Sequence, residues 1–322
     1  MRFGKTCVSI LTFLLSLLNN IQLRTKSLNT EQGLLGSLQH KLVDYGLLVK
    51  VKLNLTVVFS AIMAYLIAFE GTPTWVGIVL LGLGGFLVTG AANALNQVLE
   101  RDFDKLMKRT ENRPLATGRM TVSEAVLAAG LMCLAGTFCL SLFNAWAGLL
   151  GMLSMVLYAF VYTPMKRVSS VAVAIGAIPG ALPLMIGGVA AQGGLTSIAI
   201  TLFAIQFFWQ FPHFFAIAWA GDEDYKRAGF NLLPNKTGVL DASVGMQSLI
   251  YALFLIPVGL LPYFIGVTGI SSAIILTILS ICYAGFGWNL YKKCTRKAAL
   301  QLMFSSFVYL PLALFALYFD KI

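Results

Sequence analysis

Asn96, Glu100 and Asp104 recur at i, i+4 and i+8. On a helix these positions share one face, each about 6 Å above the last. Three oxygen-bearing side chains in a row suit a hard cation such as Mg²⁺. That ion takes oxygen ligands, keeps several waters and is commonly completed by substrate phosphates. Asp102 points to the other side of such a helix. Lys105, Lys108, Arg109 and Arg113 follow at once, and Pro114 is expected to stop the helix. Carboxylates beside arginine and lysine indicate a metal-bridged polyphosphate rather than a simple anion site. Lys166 and Arg167, after Tyr162-Thr163-Pro164, read either as further phosphate contacts or as plain cationic anchors.

A second acidic group, Asp222-Glu223-Asp224, follows Gln210-Phe211-Pro212-His213-Phe214-Phe215. His213 falls inside a long apolar run, and an ionisable residue at membrane depth is a functional candidate by default. A neutral histidine bonded to a neighbouring helix is the plainer reading. His40 is the other histidine, so a multi-histidine metal site is excluded. Cys7, Cys133, Cys139, Cys282 and Cys294 show no metal-type spacing and read as small helix residues. There is no Walker-type glycine loop and no nucleophile elbow.

The elements that must position these residues are membrane helices. Of the 322 residues, 58% are hydrophobic and 11% charged, against about 25% charged in soluble domains. The fold class is therefore all-α and polytopic. Windows of about 20 residues give nine spans: 47–69, 75–96, 123–143, 145–163, 171–190, 196–219, 246–267, 270–291 and 298–319. Residues 1–45 form an N-terminal extension and 46–322 the membrane domain. With nine spans, the lysines and arginines between residues 24 and 297 all fall on one side, with Lys321 alone on the other. The positive-inside rule makes that side cytoplasmic and puts the C-terminus outside. The net charge of +10 is thus spent on topology, not on nucleic acid. The apolar run Cys7–Leu18 is short for a span and resembles a signal-peptide core. It reads as an interfacial or poorly ordered extension, or as a misassigned start.

The stretch from Asn96 to Met120, NQVLERDFDKLMKRTENRPLATGRM, resembles the pattern N-x-x-x-D-R-D-x-D-x-x-M-x-R-T-x-x-R-P-L of the intramembrane prenyltransferases typified by 4-hydroxybenzoate polyprenyltransferase. YTPMKR (162–167), GAIPGALP (176–183), PHFFAIAW (212–219) and DYKRAGFNLLP (224–234) make it most similar to the branch that farnesylates protohaem IX. The resemblance covers roughly residues 45–320. Glu100 stands where the broad family has Asp, and Ala220 stands in the first position of its second D-x-x-x-D motif.

The resemblance implies transfer of farnesyl from farnesyl diphosphate to a vinyl group of haem b, with addition of water, giving haem o and diphosphate. Mg²⁺ would be held by Asn96, Glu100, Asp104 and Asp224. Lys105, Arg109, Arg113, Lys166 and Arg167 would bind diphosphate, and His213 would serve the haem end, as iron ligand or proton carrier. A central apolar cavity capped by helical cytoplasmic loops would shield the farnesyl cation. The implied setting is a bacterial inner membrane, with a haem A synthase as protein partner. The alternatives are another acceptor, a quinone precursor or chlorophyllide, and a transporter. A transporter should carry charges through the depth of several spans, and these spans are nearly charge-free.

Overall fold

The computed structural model describes residues 39–234 and 240–322. The N-terminal run Cys7–Leu18 and Lys236 lie outside the described residues. The chain divides into a unit ending at Leu47 and a unit of Leu48–Ile322. In the first, residues 39–47 are helical. The second carries nine helices, among the described residues, that are long and apolar enough to cross a membrane. These are α1 (Val51–Ala68), α2 (Trp75–Asp104), α3 (Val122–Ser141), α4 (Ala145–Met165), α5 (Ala172–Gln192), α6 (Ser197–Ala220), α8 (Ala242–Phe264), α9 (Ile270–Lys293) and α10 (Arg296–Phe319). A short α7, Asp222–Arg227, follows α6. The expected all-α membrane fold is what the chain forms.

Side-chain caps start five of these helices. Thr74, Thr121, Asn144, Asp241 and Thr295 each accept a bond from a first-turn backbone N–H. Within α4 the ladder loosens to a π-helix over Leu157–Tyr162, a distortion that is frequent at functional sites.

Two boundaries differ from the sequence reading. The first span does not run through from residue 47. Lys50 sits in the left-handed region at φ 52° and breaks the helix before Val51, a conformation that costs a non-glycine residue about 1–2 kcal/mol. Pro114 does not stop α2 either. The helix ends at Asp104, where Met107 N–H and the Thr110 hydroxyl take over its free carbonyl at 3.3 and 2.9 Å. Lys105, Lys108 and Arg109 therefore lie on turns.

The connections gather at two opposite ends. At one, Gln192 Nε2 donates to Ala68 O (2.8 Å), Asn144 Nδ2 to Val189 O (2.9 Å) and Gly269 N to Asp320 O (2.8 Å). At the other, Asn231 N donates to Lys166 O (2.7 Å) and Arg296 Nε to Ala220 O (3.2 Å). Between the ends, α8 packs along α9, α2 along α3 and α1 along α5. Gly187 permits the last pairing, since a Cβ there would overlap the Ala61 carbonyl and backbone of α1. Gly187→Val should cost about 2 kcal/mol of stability. Thermal melting in detergent checks this, and an unchanged melting temperature would contradict the packing.

Candidate active site

Asn96, Glu100 and Asp104 line one face of the last turns of α2, all buried. Each meets a cation or hydroxyl brought by another element. Lys50 Nζ donates to Asn96 Oδ1 at 3.1 Å, and Asn96 Nδ2 donates to Thr163 Oγ1 at 3.1 Å. Lys166 Nζ donates to Glu100 Oε1 at 2.8 Å. Arg113 Nη1 reaches both oxygens of Asp104 at 2.8 Å. Lys166 is also caged by rings, 4.6 Å from the centre of Tyr162 and 5.9 Å from Phe230.

Three cations thus face two carboxylates in a water-poor place. Burial, together with the positive charges of Arg113 and Lys166, holds the Lys50 ammonium well below the usual lysine range. Burial also works against the charge of Lys166, but the Glu100 carboxylate and Tyr158 outweigh it and keep its pKa above the usual value. An anion such as a diphosphate placed here would favour the charged form of Lys50 and meet Arg113 and Lys166 beside it.

Other expected residues lie further out. Asp102 is exposed and pairs with Arg101 and Lys105 at 3.3 and 3.1 Å, so Lys105 is drawn away from the row. Arg109 donates to Tyr225 Oη at 3.0 Å, and Arg167 lies over Phe103 at 4.5 Å. Asp224 pairs with Arg227 on α7. Among the described residues no three Asp, Glu, His or Cys side chains converge, so Asp224 does not join Glu100 and Asp104. What converges is two carboxylates and an amide. That donor set fits Mg²⁺ held by one or two carboxylates with phosphate and water completing it, and not an all-protein cage.

Beside the cluster lies a cavity of about 320 Å³. Asn93, Tyr158, Tyr162, Gln210, His213 and Ser306 are among its lining. Asn93 is about one turn below Asn96, and Tyr162 about one turn before Lys166, so the same two helices build both. His213, buried, bonds Ser306 Oγ through Nδ1 at 2.7 Å and stacks on Trp209 at 4.8 Å. Sequence reasoning missed Lys50, read only as one of the charges on the cytoplasmic side, and Thr163, Gln210 and Ser306. Lys50 gave a signal, a lysine at a span start, but Ser306 gave none.

A sequence model of the UbiA prenyltransferase family matches residues 57–310. The chain belongs to the UbiA prenyltransferase family. It is a multi-pass membrane prenyltransferase. Over 279 residues it is 47% identical to a protoheme IX farnesyltransferase of Cytophaga hutchinsonii, covering 86% of this chain and 97% of that protein. A protoheme IX farnesyltransferase of Flavobacterium psychrophilum is 41% identical over 285 residues, 86% of this chain and 94% of that protein. The fold is shared with a digeranylgeranylglyceryl phosphate synthase, at a TM-score of 0.74 and 19% identity over 87% of this chain and 98% of that one. It is shared too with a UbiA homolog from Archaeoglobus fulgidus bound to GPP and Mg²⁺ (TM-score 0.60, 16% identity, 85% of this chain and 99% of that one).

Proposed function

We propose that this UbiA enzyme transfers farnesyl from farnesyl diphosphate to a vinyl group of haem b, with addition of water, giving haem o. The observation that carries the acceptor is the 47% identity to a protoheme IX farnesyltransferase across 97% of that protein. The burial of His213 on the cavity wall agrees with it.

Mg²⁺ bound by Asn96, Glu100 and Asp104 would supply charge neutralisation for the departing diphosphate. Arg113, Lys166 and Lys50, which pair with those same side chains, are placed to turn toward the phosphate oxygens and stabilise charge as the bond breaks. Arg109 and Arg167, on the exposed rim, guide the anion in. Lys105 and Asp224, with their own partners, have smaller parts. The lining of the cavity shields the farnesyl cation from bulk water, and the rings of Tyr158 and Tyr162 face its charge.

The charged end is cytoplasmic in a bacterial inner membrane on the positive-inside argument. The haem o formed would pass to a haem-oxidising enzyme, a haem A synthase. The acceptor is tested by offering haem b and 4-hydroxybenzoate together with farnesyl diphosphate and Mg²⁺. Farnesylated haem is expected, and farnesylated 4-hydroxybenzoate alone would overturn the reading. His213→Ala should change the Soret band of bound haem or lower turnover by about 10²-fold. An unchanged band with full activity removes His213 from both of its roles.

A further inference from the structure

One helix lends the cavity a stripe of polar side chains. Gln206, Gln210 and His213 recur at i, i+4 and i+7 of α6, and all three line the cavity. Gln210 is 2% exposed, and its amide is fixed. Nε2 donates to the carbonyls of Ala177 and Gln206, both at 3.1 Å. Both amide protons are therefore used, and Oε1 is an acceptor with no hydrogen-bond partner among the described residues. Gly180 leaves that oxygen its room, since a Cβ there would overlap it.

A hydroxyl bears on a second acceptor. Ser306 Oγ lies within hydrogen-bond reach of the Met303 carbonyl and of His213 Nδ1, 2.7 Å away, and with its one proton given to that carbonyl it accepts from Nδ1. Nδ1 then carries the imidazole proton, and Nε2 of the neutral ring is a bare lone pair. Nε2 has no hydrogen-bond partner among the described residues. The ring is held by Trp209, whose Nε1 donates to the Ser306 carbonyl at 3.0 Å. Two acceptors about one turn apart on one helix, both on the cavity wall, suit a ligand that has two hydrogens to give.

We propose that Gln210 Oε1 and His213 Nε2 hold the water that adds to the haem vinyl group, with Ser306 as the positioning residue that keeps Nε2 unprotonated. This rests on the haem reading above. In that reaction the terminal vinyl carbon bonds to farnesyl C1 as the C1–O bond breaks, and the electron pair leaves with diphosphate. The vinyl carbon next to the macrocycle is left electron-deficient. A water that donates to both acceptors keeps its oxygen lone pairs free for that carbon. The C–O bond forms, and the surplus proton passes to His213 Nε2 and from there to bulk water before the next turnover. With no water held, the same cation loses a proton instead and gives an alkene one water lighter than haem o.

Two readouts test this. The chain has two histidines, His40 and His213, so nitrogen-15 histidine spectra resolve the tautomer. Protonation on Nδ1 is expected for His213, retained in Ser306→Thr and lost as a single form in Ser306→Ala. His213 found protonated on Nε2 overturns the proposal. The second readout is a product ratio, independent of turnover. Ser306→Ala, Gln210→Met and Gly180→Ala should each raise the ratio of alkene to hydroxylated product by about tenfold or more, and Ser306→Thr should not. Haem o formed at the wild-type ratio by folded Ser306→Ala and Gln210→Met overturns this proposal alone. A wild-type protein that prenylates another acceptor overturns the haem reading and this proposal with it.

Discussion

Asp104→Asn should lower farnesyl transfer by about 10³-fold while the protein stays folded. The asparagine keeps the shape and one oxygen for Arg113, which now bonds both carboxylate oxygens at 2.8 Å. The turn after α2 survives, because the Thr110 hydroxyl bonds the backbone carbonyl of residue 104 and not its side chain. What is lost is one negative charge at a position that is 0% exposed, where a divalent cation has few other anions to choose from. Activity in detergent together with a melting curve checks this. Turnover within a few-fold of wild type would refute the metal assignment.

Lys166→Met should act on fold and function at once. It leaves Glu100 buried with its 2.8 Å partner gone, and removing one member of a buried ion pair costs about 3 kcal/mol or more. It also removes a cation that is placed to stabilise the leaving group, which should cost about 10²-fold in turnover. The double variant Lys166→Met/Glu100→Gln isolates the stability effect, since it removes the orphaned charge together with one proposed Mg²⁺ ligand. With the orphaned charge gone, stability should return toward wild type, but turnover should not. If activity returned with stability, Lys166 and Glu100 would be a structural pair and neither would belong to the metal–diphosphate site.

The membrane architecture was legible because lipid leaves few options. A span needs about 20 apolar residues with internally satisfied backbone, and each of the nine windows became a helix. The row Asn96–Glu100–Asp104 was legible for a related reason, since three polar residues at helical spacing are conspicuous where an apolar run ends. Boundaries were less so. Helical spacing carries α2 past residue 96 toward Pro114, but the ladder ends at Asp104, where Met107 N–H and the Thr110 hydroxyl take its last carbonyl. Lys50 was hidden by the assumption that a charge before a span is an anchor. Its left-handed backbone and its bond to Asn96 are tertiary facts.

The haem end of the cavity was half legible. His213 stands out in an apolar run, while Ser306 does not, since a serine in a membrane helix ordinarily bonds its own preceding turn. Nothing local says that it faces a histidine 93 residues away. Asp224, which the family motif suggests as a metal ligand, pairs with Arg227 on α7.

The most direct measurement supplies the purified protein in detergent with haem b, farnesyl diphosphate and Mg²⁺ and weighs the product. Haem o should form, and chelation of the metal should stop it. No farnesylated haem under these conditions, with 4-hydroxybenzoate prenylated in its place, would contradict the account.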